Sequence, residues 1–573
     1  MKTPFSREFL NTATFVVTKG GRRASSTAGR GRRTPQAPAE RRDQAIAPYL
    51  RMFRSGLGTV VCAVLALGCT SCNLAPKYQR PPTTVPAAFK EAPAAADADG
   101  AAWKAANPRD DSVRSNWWEQ YGDPDLNALE QQVRISNQTI RAAEANYRVS
   151  RALVVQARAS LFPTLSASPA VTRSRSSQNY SSSGSGGGTG AVVNNFNAPL
   201  DASYTVDLWG RIRNTVSASE FSAQASAADL ATAVLGTQVA LAEDYFELRA
   251  LDEQRRILTE TVSSYRQTLD LTASLVRNGI DSDEDLAIAQ SQYDTVVTQA
   301  TDVGVSRTQV EHAIAVLIGK PPSDLSISAT AFLPNVPANP QAIPSDLLER
   351  RPDIAAAERQ VAAANAQIGV ARTAYFPNLT LNGAAGYQSS NSSNWFAWPS
   401  RFWSVGPQIG ATIFSVGSLR GVNDQAKAAY DQAVANYRQT VLAAFQAVED
   451  NLAALRILAV EEKQERTAVA SAEHYLALAQ TRFKAGIDSS LNVAIAQNAV
   501  LTNRETWVQV QLREVNASIA LVAALGGGWD ASQLPKMKDI VARPPKWKPA
   551  NSSDMPPPEP IAPANPQPVA KGS

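Results

Sequence analysis

The feature that most constrains this chain is that it contains itself twice. Asp207-Leu208-Trp209-Gly210 has a counterpart in Phe414-Ser415-Val416-Gly417, and Arg277-Asn278-Gly279-Ile280-Asp281 in Lys484-Ala485-Gly486-Ile487-Asp488. Ala287-Ile288-Ala289-Gln290 likewise matches Ala494-Ile495-Ala496-Gln497, and Ala315-Val316-Leu317-Ile318-Gly319 matches Val522-Ala523-Ala524-Leu525-Gly526, at the same separation of 207 positions. Leu161-Phe162-Pro163-Thr164-Leu165 and Tyr375-Phe376-Pro377-Asn378-Leu379 are instead 214 apart, so the segment between changes length. A period this long marks a duplicated half-protein; solenoid units repeat at about 20–50 residues.

Each half reads as the same series of elements. A helix comes first, over 125–160 and again over 345–374, with Asp125 and Ser345 as N-caps. Phe-Pro ends each one, because proline lacks an N–H and pushes its predecessor out of the helical region. Two strand-like runs follow around a turn-rich loop, of which Ser181 to Asn195 is the most Ser/Gly/Asn-rich. Leu200, Ala202, Tyr204, Val206 and Leu208 alternate with Asp201, Ser203, Thr205 and Asp207; Trp403, Val405, Pro407, Ile409, Ala411 and Ile413 alternate with smaller or more polar neighbours. Alternation over about 10 residues is the pattern of a membrane barrel strand, one face to lipid and the other to water. A soluble sheet of four strands would leave its edges exposed. Combining strands from several chains into a barrel removes them.

After the strands come proline-free helical stretches over 212–278 and 419–484, each roughly 100 Å long at 1.5 Å per residue. Leu230, Val234, Leu241, Tyr245, Leu248 and Leu251 show the three- and four-residue spacing of coiled-coil packing. A glycine turn and a return helix, ending at Gly319 or Gly526, complete each half. Helices of this length exceed what a globular domain uses and suit a protein that crosses a wide gap.

Composition agrees. Of 573 residues, 44% are hydrophobic, 18% charged and 7% aromatic, and alanine supplies much of the apolar content, which suits close helix packing. The formal charge of +4 belongs to the leader: residues 1–71 hold 12 basic and 3 acidic residues, and the remainder carries a net −5. Nucleic acid is therefore not a predicted partner. Ser55 to Gly68 is a mostly apolar run of 14 residues behind Met52-Phe53-Arg54. It is too short to span a bilayer, which takes about 20 residues, and has the form of a secretory signal. Residues 1–51 fit poorly as its n-region, so translation from Met52 is expected, a genuine basic leader being the alternative. The cysteines, Cys62, Cys69 and Cys72, all lie at or before position 72, so the mature chain has no internal disulfide framework. A cysteine just after such an h-region is commonly diacylated. Gly68-Cys69 and Ser71-Cys72 both carry the small residue expected before it; Cys72 is preferred, with Cys69 as the alternative. Asn73 follows Cys72, where an aspartate would argue for inner-membrane retention.

These residues resemble the TolC-like outer-membrane efflux factors, in particular the lipoprotein branch called NodT-type or OprM-like, over nearly all of 72–529. Pro76-Lys77-Tyr78-Gln79-Arg80-Pro81 stands at the family's spacing from the lipidated cysteine. Trp117-Trp118 with Tyr121-Gly122-Asp123-Pro124-Asp125-Leu126 resembles its first helix start, and Leu347-Leu348-Glu349-Arg350-Arg351-Pro352-Asp353-Ile354 through Ala374-Tyr375-Phe376-Pro377 is the strongest match. The resemblance implies a mainly α protein with a β-barrel: a homotrimer whose 12-stranded outer-membrane barrel continues into a hollow α-helical periplasmic tunnel, belted by residues near 76–120, 320–345 and 526–545. It divides the chain into an extension (1–51), a lipoprotein signal (52–71), a lipidated and equatorial segment (72–120), two efflux repeats (121–330 and 331–530), and an equatorial, Pro-rich disordered tail (531–573). The implied function is the passive exit duct of a tripartite efflux pump, with a periplasmic adaptor, an inner-membrane RND-type pump and outer-membrane lipid as partners. A type I secretion duct is the runner-up. A structural trimeric stalk is the reading from another class, which the duplication and strand pairs disfavour.

Nothing points to catalysis, a cofactor or a metal: His312 and His474 each stand alone in a helical run, and no phosphate loop, nucleophile elbow or metal spacing occurs. In the family the turns at Gly279 and Gly486 face the periplasm, which assigns adaptor docking to Arg277, Gly279, Lys484 and Gly486. The acids beyond the first turn, Asp281, Asp283, Glu284 and Asp285, would ring the closed aperture, or form a solvated turn that caps the return helix. In the second half Asn492 stands where Asp285 stands in the first, and Ile495 occupies the family's other acidic position, a departure from its pattern. Cys72→Ala should abolish acyl labelling of the mature protein; labelling that persists there but disappears in Cys69→Ala would move the lipid site.

Overall fold

The computed structural model describes residues 73–86, 89–91, 116–175, 177, 192–330 and 347–541. The leader with Cys69 and Cys72, most of the Ser181–Asn195 loop, Ser345 and the tail beyond Val541 lie outside them.

The first helix corrects the sequence reading twice. A 3-10 turn, Trp117–Tyr121, stops at Gly122, and α1 is Pro124–Ser136. Its N-cap is Asp123, not Asp125: the Asp123 carboxylate accepts from the amides of Asp125 (2.9 Å) and Leu126 (3.2 Å), and Pro124 takes the first helical position, where no N–H is needed. The helix then breaks at Asn137. That side chain accepts from the Ile140 amide (3.0 Å) and donates to the Leu317 carbonyl (2.7 Å), so it caps a new helix, α2 (Gln138–Ala159), instead of continuing the old one.

Strands β1 (Thr164–Ala167), β2 (Ala170–Arg175) and β3 (Val192–Val206) lead into α3 (Arg211–Arg277) and α4 (Asp283–Leu317). The second half gives a short α5 (Leu347–Arg350), α6 (Pro352–Thr373), β4 (Asn378–Ser389), β5 (Arg401–Gly410), α7 (Ser418–Lys484) and α8 (Ser490–Ala524), followed by α9 (Met537–Val541). The cap expected of Ser345 is not described; α6 starts behind Arg351, with no side-chain cap. The duplication holds to the residue: α3 and α7 both have 67 residues, α4 and α8 both 35, and their bounds differ by 207. Helices α2 and α6 both have 22 residues and lie 214 apart.

The strands form one antiparallel meander. Strands β1 and β2 pair with β3 in a single register, Thr164 opposite Ser203 and Arg175 opposite Val192, so they are one strand pass interrupted at Ser168-Pro169. Strand β3 pairs with β4 (Val206 opposite Leu379) and β4 with β5 (Asn378 opposite Gly410). The expected four passes are therefore present, and the outer edges of β1/β2 and β5 have no partner among the described residues. Register sorts the side chains by face. Leu165, Ala202, Gly383 and Val405 are aligned across one face, and Thr164, Ser203, Asn382 and Gly406 across the other. On the polar face Ser203 Oγ donates to Asn382 Oδ1 (3.1 Å) and Asn382 Nδ2 to Gln408 Oε1 (3.1 Å). On the apolar face Trp403, Val405 and Ile409 are exposed, as lipid-facing residues of a barrel are.

Below the sheet, α3 packs against α2, α4, α6 and α8, and α7 against α6 and α8. Leu241, Tyr245 and Leu248 of the coiled-coil series are fully buried, with Trp117, Trp118 and Tyr121 covering them. The segment from Asn73 to Glu91 touches the start of α3 and then runs along the second repeat. Asn73 Oδ1 accepts from Asn214 Nδ2 (2.9 Å), Pro76 O from Asn365 Nδ2 (2.9 Å), and Tyr437 Oη from Arg80 Nε (3.1 Å). The Glu449 carboxylate accepts from the Lys90 and Glu91 amides (2.7 and 2.9 Å). Gly369 permits this: a Cβ there would lie 2.5 Å from Ala75 Cβ.

A buried polar network locks the first repeat. Arg249, 2% exposed, donates to Tyr245 Oη (2.8 and 3.0 Å), the Ser328 carbonyl (2.8 Å), Asp125 (3.2 Å) and Asp252 (3.4 Å). Tyr245 in turn donates to Asp123 Oδ2 (2.6 Å), and Asp252 also accepts from Arg307 Nε (2.7 Å) and the Thr330 amide (3.1 Å). Helices α1, α3 and α4 and the segment after α4 are thereby tied at one level. Glu130 sits buried in α1 with neither carboxyl oxygen hydrogen-bonded; burial pushes it up to about 9, so it is neutral at pH 7. Because removing one partner strands the other buried charges, Arg249→Ala should destabilise by about 3–5 kcal/mol. Lys427→Ala, at the exposed Asp424 pair (3.6 Å), should cost less than ~1 kcal/mol; thermal and denaturant unfolding in detergent compare the two.

Candidate functional site

The two helical hairpins turn by the same device. Asn278 and Ala485 end α3 and α7, and Gly279 and Gly486 take positive φ (75° and 68°). The Gly279 amide donates to the Val276 carbonyl (2.9 Å) and the Ile280 amide to Leu275 (3.0 Å); in the second half Gly486 donates to Phe483 (2.9 Å) and Ile487 to Arg482 (3.0 Å). These are the paired bonds of a Schellman motif, whose left-handed residue is ordinarily glycine. A side chain at either glycine meets nothing within 4 Å, so its penalty is conformational, about 1–2 kcal/mol. Each turn pushes an isoleucine into solvent: Ile280 is 72% exposed and Ile487 67%. Arg277 and Lys484 are exposed beside them.

Past the turns the repeats diverge in charge. Residues 275–286 carry one basic and four acidic side chains, and 482–493 two basic and one acidic. The four acids do not form one cluster. Asp283 and Glu284 stand exposed in the first turn of α4. Asp281 and Asp285 are half-buried neighbours. Ser282 caps α4 by accepting from the Asp285 amide (3.1 Å), and its hydroxyl donates to Asp285 Oδ2 (2.5 Å). Ser490, buried at the start of α8, donates to Asp285 Oδ1 (3.2 Å), so this one carboxylate joins the two hairpins. The hydroxyl bonds from Ser282 and Ser490 hold Asp285 below the usual carboxylate range; burial, with the Asp285 charge added, raises Asp281. The N-cap is therefore Ser282 and none of the acids, three of which follow it in the first turn of α4.

In the second hairpin Asn492 donates to Asp488 Oδ1 and Arg482 Nε to Asp488 Oδ2 (3.2 Å). Asp488 is lowered by the Asn492 bond first and by Arg482 as well. Sequence reasoning did not place Arg482, Asp488, Ser282 or Ser490 in the site. Asp488 was findable, as the exact repeat of Asp281; the Asp285–Ser490 bond was not, since it joins positions 205 residues apart. Among the described residues no group of three or more His, Cys, Asp or Glu side chains could hold a metal.

The sequence pattern described as Outer membrane efflux protein matches residues 129–320 and 343–527, and the starts and ends of the two matches differ by the same 214 and 207 positions as the repeats. The toluene efflux pump outer membrane protein TtgF of Pseudomonas putida is 32% identical over 469 residues, 81% of this chain and 96% of that protein. The Campylobacter jejuni CmeC outer membrane channel superposes with a TM-score of 0.74 at 23% identity, over 82% of this chain and 97% of that one. The outer-membrane channel OprN superposes at 0.71 with 27% identity, over 80% and 100%.

Proposed function

Because the chain belongs to the outer membrane efflux protein family, as an outer-membrane channel component of an efflux pump, we propose that three copies close into one barrel and one helical tunnel. Small molecules leave through it passively, delivered by a periplasmic adaptor and an inner-membrane pump. The observation that carries this reading is the open sheet. Four strand passes, apolar on one face and polar on the other, are too few to enclose a lumen, and three copies would bring twelve. The 67-residue helices below the strands reach roughly 100 Å, enough to span a wide periplasmic gap. The relative named for toluene efflux supports small apolar molecules as cargo. The family is one of transport ducts, and the candidate site offers charge and shape with no nucleophile–base pair.

Cys72 is the anchor in this reading. Asn73, the next residue, lies against Gly210, at the level where the sheet gives way to α3, which suits acyl chains that enter the membrane beside the barrel. The hairpin turns dock the adaptor through the exposed Ile280 and Ile487 flanked by Arg277 and Lys484. Replacing Gly279 and Gly486 together with tryptophan should leave the particle trimeric in detergent yet abolish drug efflux when the gene is restored to a deletion strain. Unimpaired efflux would place docking elsewhere, and a monomer in the wild type would end the duct reading.

On the threefold axis Asp281, Asp283, Glu284 and Asp285 form an acidic ring at the periplasmic aperture, with Asp488 held by Asn492 and Arg482. Rings of carboxylates favour cations. The closed duct should therefore prefer cations in a planar bilayer and be blocked by multivalent cations from the periplasmic side. A triple Asp281→Asn, Asp283→Asn, Asp285→Asn variant should lose both properties; unchanged selectivity and block would leave these acids a solvated turn.

A further inference from the structure

We propose that the apolar face of the sheet carries, at its loop end, a binding site for a phosphorylated glycolipid of the outer leaflet, with Arg173, Arg175 and Arg401 holding the phosphates. This rests on the barrel reading and deepens it, because it names the lipid that the outer rim of the barrel takes.

Charge is scarce in the barrel segments and is sorted by face. Residues 164–206 and 378–413, which are the strands and both loops, contain four charged side chains: Arg173, Arg175, Asp201 and Arg401. Register places Asp201 opposite Ser166 and Ala384, on the polar face. Arg173 lies opposite Asn194 and Arg175 opposite Val192, in phase with Val171 opposite Phe196. Arg401 lies opposite Tyr387, in phase with Trp403 and Val405. All three cations therefore share the lipid-facing side, and the single acid does not. They are also gathered at one end. The helices join the strands at Thr164, Val206, Asn378 and Gly410, whereas Arg175 ends β2 and Arg401 starts β5 beside the loops. With the helices in the periplasm, that end is the outer rim. All three arginines are exposed, and neither loop, 176–191 or 390–400, contains an acid, so these segments supply no counter-anion.

An arginine on a lipid-facing surface is costly at the bilayer centre and tolerable at its rim, where its head reaches the polar layer. Reaching a polar layer would suit either sign of charge, yet the sign here is uniform. A leaflet of phosphorylated glycolipid places anionic phosphates at that height and acyl chains below it. The planar guanidinium grips phosphate with paired N–H bonds. Arg401 is held ready for this, its guanidinium 3.1 Å from the centre of the Trp398 ring. Next to it Trp395 and Phe396 stack (4.9 Å between centroids), and Trp395 rests on Phe196 (5.4 Å). Since Phe196 is also opposite Val171, an aromatic platform runs from the strand of Arg401 towards that of Arg173 and Arg175. Phe396 and Trp398 remain 67% and 71% exposed, apolar surface for the upper carbons of the acyl chains.

The test uses the full-length protein in detergent, with diphosphoryl lipid A as the probe and native mass spectrometry as the readout. Wild type should retain the lipid, and the triple variant Arg173→Gln, Arg175→Gln, Arg401→Gln should bind it roughly 100-fold more weakly, three rim cations having been removed. Lipid A stripped of both phosphates should bind wild type as weakly as the intact lipid binds the variant. Phosphatidylglycerol at equal concentration should fail to displace lipid A. Equal binding of intact lipid A by wild type and variant overturns the site, and so does equal binding of intact and stripped lipid by wild type, a comparison that stands even if the variant fails to fold. Displacement by phosphatidylglycerol would leave only an undirected cationic rim and overturns the site as well. Wild type that stays soluble without detergent would instead remove the barrel reading, whichever lipid is added.

Discussion

Backbone hydrogen bonding in a medium without water is the constraint on which the rest of this molecule depends. A sheet in lipid has no solvent to satisfy its edges, so it must close. The described residues supply four passes, which cannot close around a lumen alone. Much else follows from that shortage. The junctions around Ile413 and Val416 are bare, α2 is covered on one side only, and the sheet carries a complete polar face, from Thr164 through Ser203 and Asn382 to Gly406, that has nothing within the chain to enclose.

Duplication offers an economical answer to the same constraint. Two repeats place β3 against β4 inside the chain and leave β1/β2 and β5 as open edges. What the repeats share is scaffold: helix lengths, Schellman turns, strand register. Where they differ is informative. The first repeat holds its helices together with the Arg249 network and bears an acidic turn; the second packs the segment from Ala75 to Glu91 along α6 and α7 and bears a turn whose one acid is already engaged by Asn492 and Arg482. The two repeats thus match in their walls and differ in charge at their turns.

Much of this was legible before the structure. The glycines at 279 and 486, the proline-free stretches and the Phe-Pro stops located the hairpins and strand starts to within a few residues, because each acts locally: positive φ at a glycine and a missing N–H at a proline do not depend on distant neighbours. The N-cap was misplaced by two residues because Asp123 and Asp125 flank a proline, and either could cap; the one that does not, Asp125, faces Arg249. The break at Asn137 was missed because it depends on a carbonyl at Leu317, far along the chain.

By itself the sequence determined the duplication, the lengths of the long helices and the alternating faces of the strands, since all of these arise from spacing along the chain. The tertiary structure decided which carboxylates meet. Asp281, Asp283, Glu284 and Asp285 look alike in sequence, yet only Asp281 and Asp285 are drawn together and only Asp285 reaches Ser490. The reason is geometric. Positions within one turn of a helix point in different directions, and the helix that receives one of them comes from the other repeat. Side-chain partnership across 205 residues is set by how α4 and α8 lie against each other, and no local rule of spacing carries that information.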